Sequence, residues 1–189
     1  MAGAEDFDMT WKNTPERFGS LSIAMHWLMF ALLVAVYATI ELRTQFPKGS
    51  AIREGLKEWH FMLGIAVFLL VWLRLLARSV GKIPAIVPEP SKLQMRIAHL
   101  FEFALYVFMI AMPLLGWLIL SGEGKPVPFF GLELPPLMAV DKVLAKQLEE
   151  VHETVGTVGY FLIGTHALAA LVHHYIKRDN ALRRMLPAW

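Results

Sequence analysis

Four stretches of this chain contain no Asp, Glu, Lys or Arg: Phe18 to Ile40, Trp59 to Leu73, Phe103 to Gly122 and Thr154 to Ile176. Three of them reach 20 residues or more, and about 20 apolar residues carry a helix across the ~30 Å hydrocarbon layer of a bilayer. Within that layer each backbone N–H and C=O must find its partner inside the segment, so a spanning stretch of this kind is helical. The second stretch is shorter, but it continues as Arg74-Leu75-Leu76-Ala77-Arg78. Those arginines can snorkel to the headgroups while their stems stay in the apolar zone. The fold class read from the chain is therefore all-α, an integral membrane four-helix bundle. Composition agrees: the 189 residues are 56% hydrophobic and 18% charged, against about 45–50% and about 25% for a soluble domain.

Four crossings place both termini on one side, and Lys and Arg tell which. Residues 1–20, 74–98 and 177–189 hold eleven of them, against seven in residues 41–58 and 121–153, which predicts cytoplasmic termini for a multi-pass protein. The boundaries read as a cytoplasmic N-terminal extension over 1–17, a four-helix domain over 18–178 and a cytoplasmic tail over 179–189. Residues 1–15 carry Glu5, Asp6, Asp8 and Lys12 with no apolar run behind a basic start, and so do not read as a signal peptide. Pro113 alone among the prolines falls inside a span, where a kink is expected. Asp141 to Glu150 reads as a separate short amphipathic helix at the outer surface. A net charge of +2 gives no reason to expect a nucleic-acid partner. The absence of cysteine excludes disulfides, thiolate metal sites and covalently attached c-type haem.

The chemistry-bearing residues are seven histidines, at 26, 60, 99, 152, 166, 173 and 174, most of them in or at the ends of the spans. An ionisable side chain in a membrane helix is a functional-site hypothesis by default. His152 and His166 are 14 residues apart, which keeps them within about 40° of one helix face and about 21 Å apart along the axis. One face thus offers imidazoles at two depths, and bis-imidazole haem iron needs a second histidine at each. With Glu41 and His152 aligned at the outer boundary, His26 lies level with His166; His60, opening the second span, lies level with His152. The expected pairs are His60 with His152 on the outer side and His26 with His166 on the inner side. His173, about 10 Å nearer the cytoplasm on the same face, is either a donor to a quinone carbonyl or an interfacial histidine. His174 reads as interfacial, and His99 as a structural or propionate contact.

Other chemistries fare worse. Glu149-x-x-His152 resembles half of a di-iron motif, but the span interiors hold no carboxylate to complete it. His152-Glu153-Thr154-Val155-Gly156 has glycine where a zincin has its second histidine, and no G-x-S-x-G occurs. The glycines at 64, 116, 156, 159 and 164 suit either a flat macrocycle or helix packing. Trp27 is either an interfacial anchor or a ring stacked on haem.

The strings S-I-A-M-H-W-L with Glu41-Leu42-Arg43, F-P-K-G-S, W-L-R-L-L-A-R, and H-E-T-V-G-T-V-G-Y-F-L-I-G-T-H-A-L-A-A-L-V-H-H-Y followed by K-R-D-N-A-L-R-R-M-L-P resemble the bacterial cytochrome b561 family, from about Phe18 to Pro187. The resemblance implies an inner-membrane protein with two non-covalent b haems whose axial ligands fall on His26, His60, His152 and His166. It implies electron exchange with ubiquinone near the cytoplasmic haem, with the quinone contact near His173. Some members act as superoxide oxidases, passing electrons from periplasmic superoxide to quinone, and Arg43, Lys48, Arg53 and Lys57 offer a positive entry for such an anion. Arg74 and Arg78 are candidate partners of the inner haem propionates and Arg43 of the outer. The reading is an oxidoreductase of the superoxide:ubiquinone type that moves electrons through two haems, its partners being membrane lipid, ubiquinone and a periplasmic donor. The competing readings are a haem-bearing anchor subunit serving a separate dehydrogenase or hydrogenase, and a histidine-lined metal or proton transporter without haem.

Overall fold

The computed structural model describes residues 11–79 and 82–186. The first ten residues of the expected N-terminal extension and the last three of the tail lie outside it. Four helices carry the fold: α1 (Ser20–Leu42), α2 (Ala51–Ser79), α3 (Lys92–Glu123) and α4 (Lys142–Val172). Among the described residues these four are long and apolar enough to cross a membrane. A two-stranded antiparallel hairpin, β1 (Val127–Phe129) and β2 (Leu132–Leu134), separates α3 from α4. It marks one end of the bundle, the hairpin end; residues 11–19 and 178–186 gather at the opposite one, the tail end.

Local chemistry sets the helix limits. Asn13 accepts from the Gly19 backbone N–H (3.0 Å) and from the Ser22 hydroxyl (2.8 Å), satisfying donors that open α1. Gly19 lies so close to the Trp11 and Lys12 backbone that a Cβ would sit 2.5 Å from their atoms. A capping box of Ser91 and Gln94 starts α3, and Gly124 at φ +70° ends it. Asp141 caps α4 by accepting from Val143 and Leu144 N–H. Pro113 is accommodated within the single helix α3.

The expected separate helix at 141–150 is instead the first three turns of α4, which runs unbroken for 31 residues. No proline or glycine intervenes between Asp141 and Thr154, so nothing stops the helix. The hairpin has no counterpart among the sequence-based expectations. Its turn needs positive φ at Phe130 (46°) and Gly131 (85°), and a Phe-Gly pair is a weak sequence signal for such a turn.

α1 packs on α2, α2 on α3, and α3 on α4, whereas α4 approaches α1 and α2 far more sparingly. The core formed by Met25, Met29, Val67, Leu70, Val71, Ala77, Phe108 and Met109 belongs to the first three helices. α4 adds only partly buried side chains to it, including Val155, Leu162 and Ile163. Lipid tails are as apolar as leucine, so helices in a bilayer associate through packing and interhelical hydrogen bonds. α4 is joined to α1 in that way: the Tyr37 hydroxyl donates to the Gly156 carbonyl (2.7 Å), and the Tyr160 hydroxyl donates to Glu41 (2.7 Å).

Candidate functional site

The histidines of α4 meet partners from two other helices at two levels. At the hairpin end His60 of α2 faces His152 of α4, ring centroids 6.3 Å apart with planes at 80°. At the tail end His26 of α1 faces His166 of α4, again at 6.3 Å, with planes at 57°. The eleven residues from His26 to Tyr37 match the ten from Gly156 to His166, so the Tyr37–Gly156 hydrogen bond and the His26–His166 approach share one antiparallel register.

At the hairpin end, His60 Nδ1 lies 3.0 Å from the Val36 carbonyl. A carbonyl only accepts, so Nδ1 carries the proton and Nε2 keeps its lone pair for a metal. His152 lies beside Gly116, where a Cβ would stand 3.7 Å from the imidazole Cε1, and the Met112 backbone of α3 stands against its buried ring. Of the four basic residues between α1 and His60, Arg53 and Lys57 lie in the first turns of α2: Arg53 donates to the Arg43 and Phe46 carbonyls (3.2 and 2.9 Å) and Lys57 pairs with Glu54 (2.9 Å). Arg43 keeps a buried Nε without a partner, and Lys48 is exposed. The hairpin covers this end, with Val127 2% exposed, the Phe130 N–H 3.3 Å from Met62 Sδ, and Phe130 edge-on to Trp59.

At the tail end, Arg74 donates to His26 Nδ1 at 2.9 Å and retains a buried, unpartnered Nη1. Arg78 is engaged by Glu102 through both terminal nitrogens. His173 and His174 fall in a wide turn, His173–Lys177, that ends α4. His173 Nδ1 is 2.5 Å from Asp179 Oδ2, His174 packs against Tyr175, and His99 is exposed on α3. The tail folds back across this end: Asn180 bonds the backbone of Val87 and Ala85, Arg184 donates to the Pro84 carbonyl, and the Trp27 indole donates to the Met185 carbonyl (2.8 Å). Burial there holds Arg184 below the usual guanidinium range, with Asp179 acting in the opposite direction.

Between the two levels, Gly159 lies seven residues from each histidine of α4. A Cβ at that position would collide with the Tyr37 hydroxyl and with Phe108, so the glycine is what lets rings from α1 and α3 meet there. Tyr37 and Tyr160 pack with ring centroids 4.3 Å apart and planes tilted by 44°. Sequence reasoning passes over Tyr37, Tyr160 and Asp179. A tyrosine inside a span is the available signal for the first two, because its hydroxyl needs a partner in lipid.

The ring separations fit b-type haem at both levels. His60 already has the tautomer that leaves Nε2 free, whereas ligation through His26 Nε2 requires its proton to sit on Nδ1 and so requires Arg74 to release that nitrogen, free to turn to a propionate. Metal–imidazole bonds are about 2 Å long, so two imidazoles on opposite sides of one iron have centroids about 6 Å apart. Among the described residues no group of three or more His, Asp or Glu converges as a metal site; these histidines meet two by two. The buried, unpartnered nitrogens of Arg43 and Arg74 lie at the two levels and are of the kind that propionates satisfy.

Comparison with known proteins converges with this geometry. A family model described as prokaryotic cytochrome b561 matches residues 17–188. The chain is 39% identical over 171 residues to cytochrome b561 homolog 1 of Escherichia coli (strain K12), covering 90% of this chain and 97% of that protein. It is 37% identical over 172 residues to a probable superoxide oxidase CybB of Yersinia pestis, covering 91% and 97%. Cytochrome b561 homolog 2 of Escherichia coli (strain K12) is 29% identical over 179 residues, covering 94% and 95%.

Proposed function

The chain belongs to the prokaryotic cytochrome b561 family, whose b-type haem carries out electron transfer in the membrane, and we propose that this member moves electrons through two haems from superoxide to ubiquinone. His60 and His152 hold the haem at the hairpin end, on the periplasmic side; His26 and His166 hold the other, on the cytoplasmic side. Both termini are cytoplasmic, and the membrane is the bacterial inner membrane. When bound, haem supplies a one-electron iron couple; the chain's own residues ligate it, space it and set the field around it.

The observation that carries this reading is the shared 6.3 Å separation of two histidine pairs, reached from three helices at two depths. At the periplasmic side, Lys48 and Arg53 supply the local positive charge that an anionic donor would meet, since Lys57 is ion-paired with Glu54 whereas Arg53 bonds neutral carbonyls and keeps its charge. At the cytoplasmic side, His173 provides the hydrogen-bonding contact for a quinone carbonyl, and Arg43 and Arg74 are the propionate partners at the outer and inner haems. Arg78 reaches an inner propionate only by giving up part of its pairing with Glu102. The relative described as a probable superoxide oxidase supports superoxide as the donor.

The test is optical and kinetic. Purified protein should show a Soret band with two haems per chain and should reduce a soluble ubiquinone analogue when supplied with superoxide and nothing else. A haem-loaded protein that stays inert until a dehydrogenase is added would be an anchor subunit. A colourless preparation from haem-replete cells would favour a transporter.

A further inference from the structure

Asp179 is the one buried carboxylate among the described residues, 5% exposed, and nothing in the electron path accounts for it. Arg178 takes a left-handed conformation, φ 56°, which reverses the chain after α4 and returns Asp179 beneath His173. The position is held at several points. The Asp179 N–H donates to the His173 carbonyl (3.2 Å), Oδ1 accepts from the Ala181 N–H (2.9 Å), and Oδ2 meets His173 Nδ1 at 2.5 Å. Next to it Asn180 is tied on both faces to the loop before α3: Oδ1 accepts from Val87 N–H at 2.8 Å and Nδ2 donates to the Ala85 carbonyl at 3.3 Å. The charged groups around the pair are Arg184, within electrostatic reach of Asp179, and Lys177 and Arg178 of the same turn.

An ionised carboxylate only accepts, so its place against Nδ1 fixes the proton there and leaves Nε2 as the position that exchanges. That is the arrangement by which a carboxylate holds a histidine in one tautomer and stabilises its protonated form. With its side chain 27% accessible, His173 is open enough to meet a substrate and to be refilled from water.

We propose that Asp179 is a positioning residue that makes His173 the proton donor for quinone reduction at the tail end. The proposal rests on the quinone reading above. In the step, the Nε2–H bond of doubly protonated His173 breaks and an O–H bond forms at one quinone carbonyl oxygen. The ring is left neutral, with its Nδ1 proton retained against Asp179, and Nε2 regains a proton from cytoplasmic water. The two electrons would be supplied one at a time from the external donor through haem held at His26 and His166, and the second carbonyl takes its proton from cytoplasmic water, completing the quinol.

The experiment uses haem-loaded protein in lipid nanodiscs, reduced with dithionite and mixed with decylubiquinone, following haem reoxidation by stopped flow. Asp179→Asn should lower the maximal rate on the order of 10- to 100-fold, less than the roughly 100- to 10,000-fold worth of a whole general acid because the imidazole itself remains, with little change in the quinone concentration at half-maximal rate. Asp179→Glu should recover part of the loss, and the haem spectrum should be unaltered in both. Independently, ring 15N resonances of His173, assigned by their loss in His173→Gln and recorded at a pH high enough for the ring to be neutral, should show the Nδ1–H tautomer in the wild type and a mixture in Asp179→Asn. A variant with wild-type rate and wild-type tautomer overturns the role of Asp179 alone. Wild-type protein whose reduced haem ignores decylubiquinone, with the His173 tautomer as expected, overturns the quinone reading and with it this use of the pair.

Discussion

The two histidine pairs have the same centroid separation, yet they are held by opposite means. At the hairpin end a backbone carbonyl, that of Val36, holds His60; at the tail end a guanidinium, that of Arg74, approaches His26. A carbonyl fixes which nitrogen bears the proton and adds no net charge, whereas an arginine brings a full positive charge next to the imidazole. Identical spacing therefore fixes what each level can bind, and the neighbours of the ring fix how that level is tuned.

The most damaging way to break the comparison is to remove one ring from each level. His152→Ala should cost the hairpin-end haem and His166→Ala the tail-end haem, each taking the haem content from two to one per chain by pyridine haemochromogen assay. Loss of both haems from either variant would mean that the levels are not independent. Next in size, Gly159→Leu should disturb both levels together by forcing apart Tyr37 and Phe108, with about 1–3 kcal/mol of overpacking visible as a lower thermal midpoint in the haem absorbance.

Arg74→Gln separates the levels electrostatically. A unit charge about 8 Å away at an effective dielectric of about 20 is worth about 2 kcal/mol, so the inner haem's reduction potential should fall on the order of 50–100 mV while the outer one stays put. Redox titration followed optically reads both at once. A smaller effect is expected at the proposed superoxide entry: Lys48→Gln should slow superoxide-driven haem reduction a few-fold at low salt, and Lys57→Gln, which removes a cation already paired with Glu54, should leave the rate unchanged. The finest distinction is spectroscopic. Ring planes at 80° against 57° predict a more anisotropic low-spin EPR signal from the hairpin-end haem, and His60→Ala should abolish that signal first.

Much of this is legible without any coordinates. Charge-free runs reveal membrane helices because the bilayer penalises each charge severely, and the α-helical rise converts residue spacing into depth, which is how His26, His60, His152 and His166 sort into two pairs. Three kinds of feature are not legible. The continuity of α4 through residues 142–153 escapes a reading that takes charge as a boundary, although charge alone does not end a helix and no proline or glycine stands in that stretch. The engagement of Arg78 by Glu102 and of Arg53 by carbonyls depends on where side chains converge across helices, which linear spacing does not encode. Asp179 escapes because its importance comes from a left-handed reversal at Arg178, a conformation that sequence marks only weakly when the residue is not glycine.

The unbroken course of α4 has a consequence for how this chain can vary over time. His152, His166 and the start of the His173 turn are all borne by one rod, so adding or deleting a single residue between 152 and 166 would swing everything beyond it by about 100° and part the histidines that face each other at one depth or the other. Length changes should therefore accumulate in the hairpin and in the connection before α3, while the stretch from 152 to 166 keeps its residue count through any amount of substitution along its lipid-facing side.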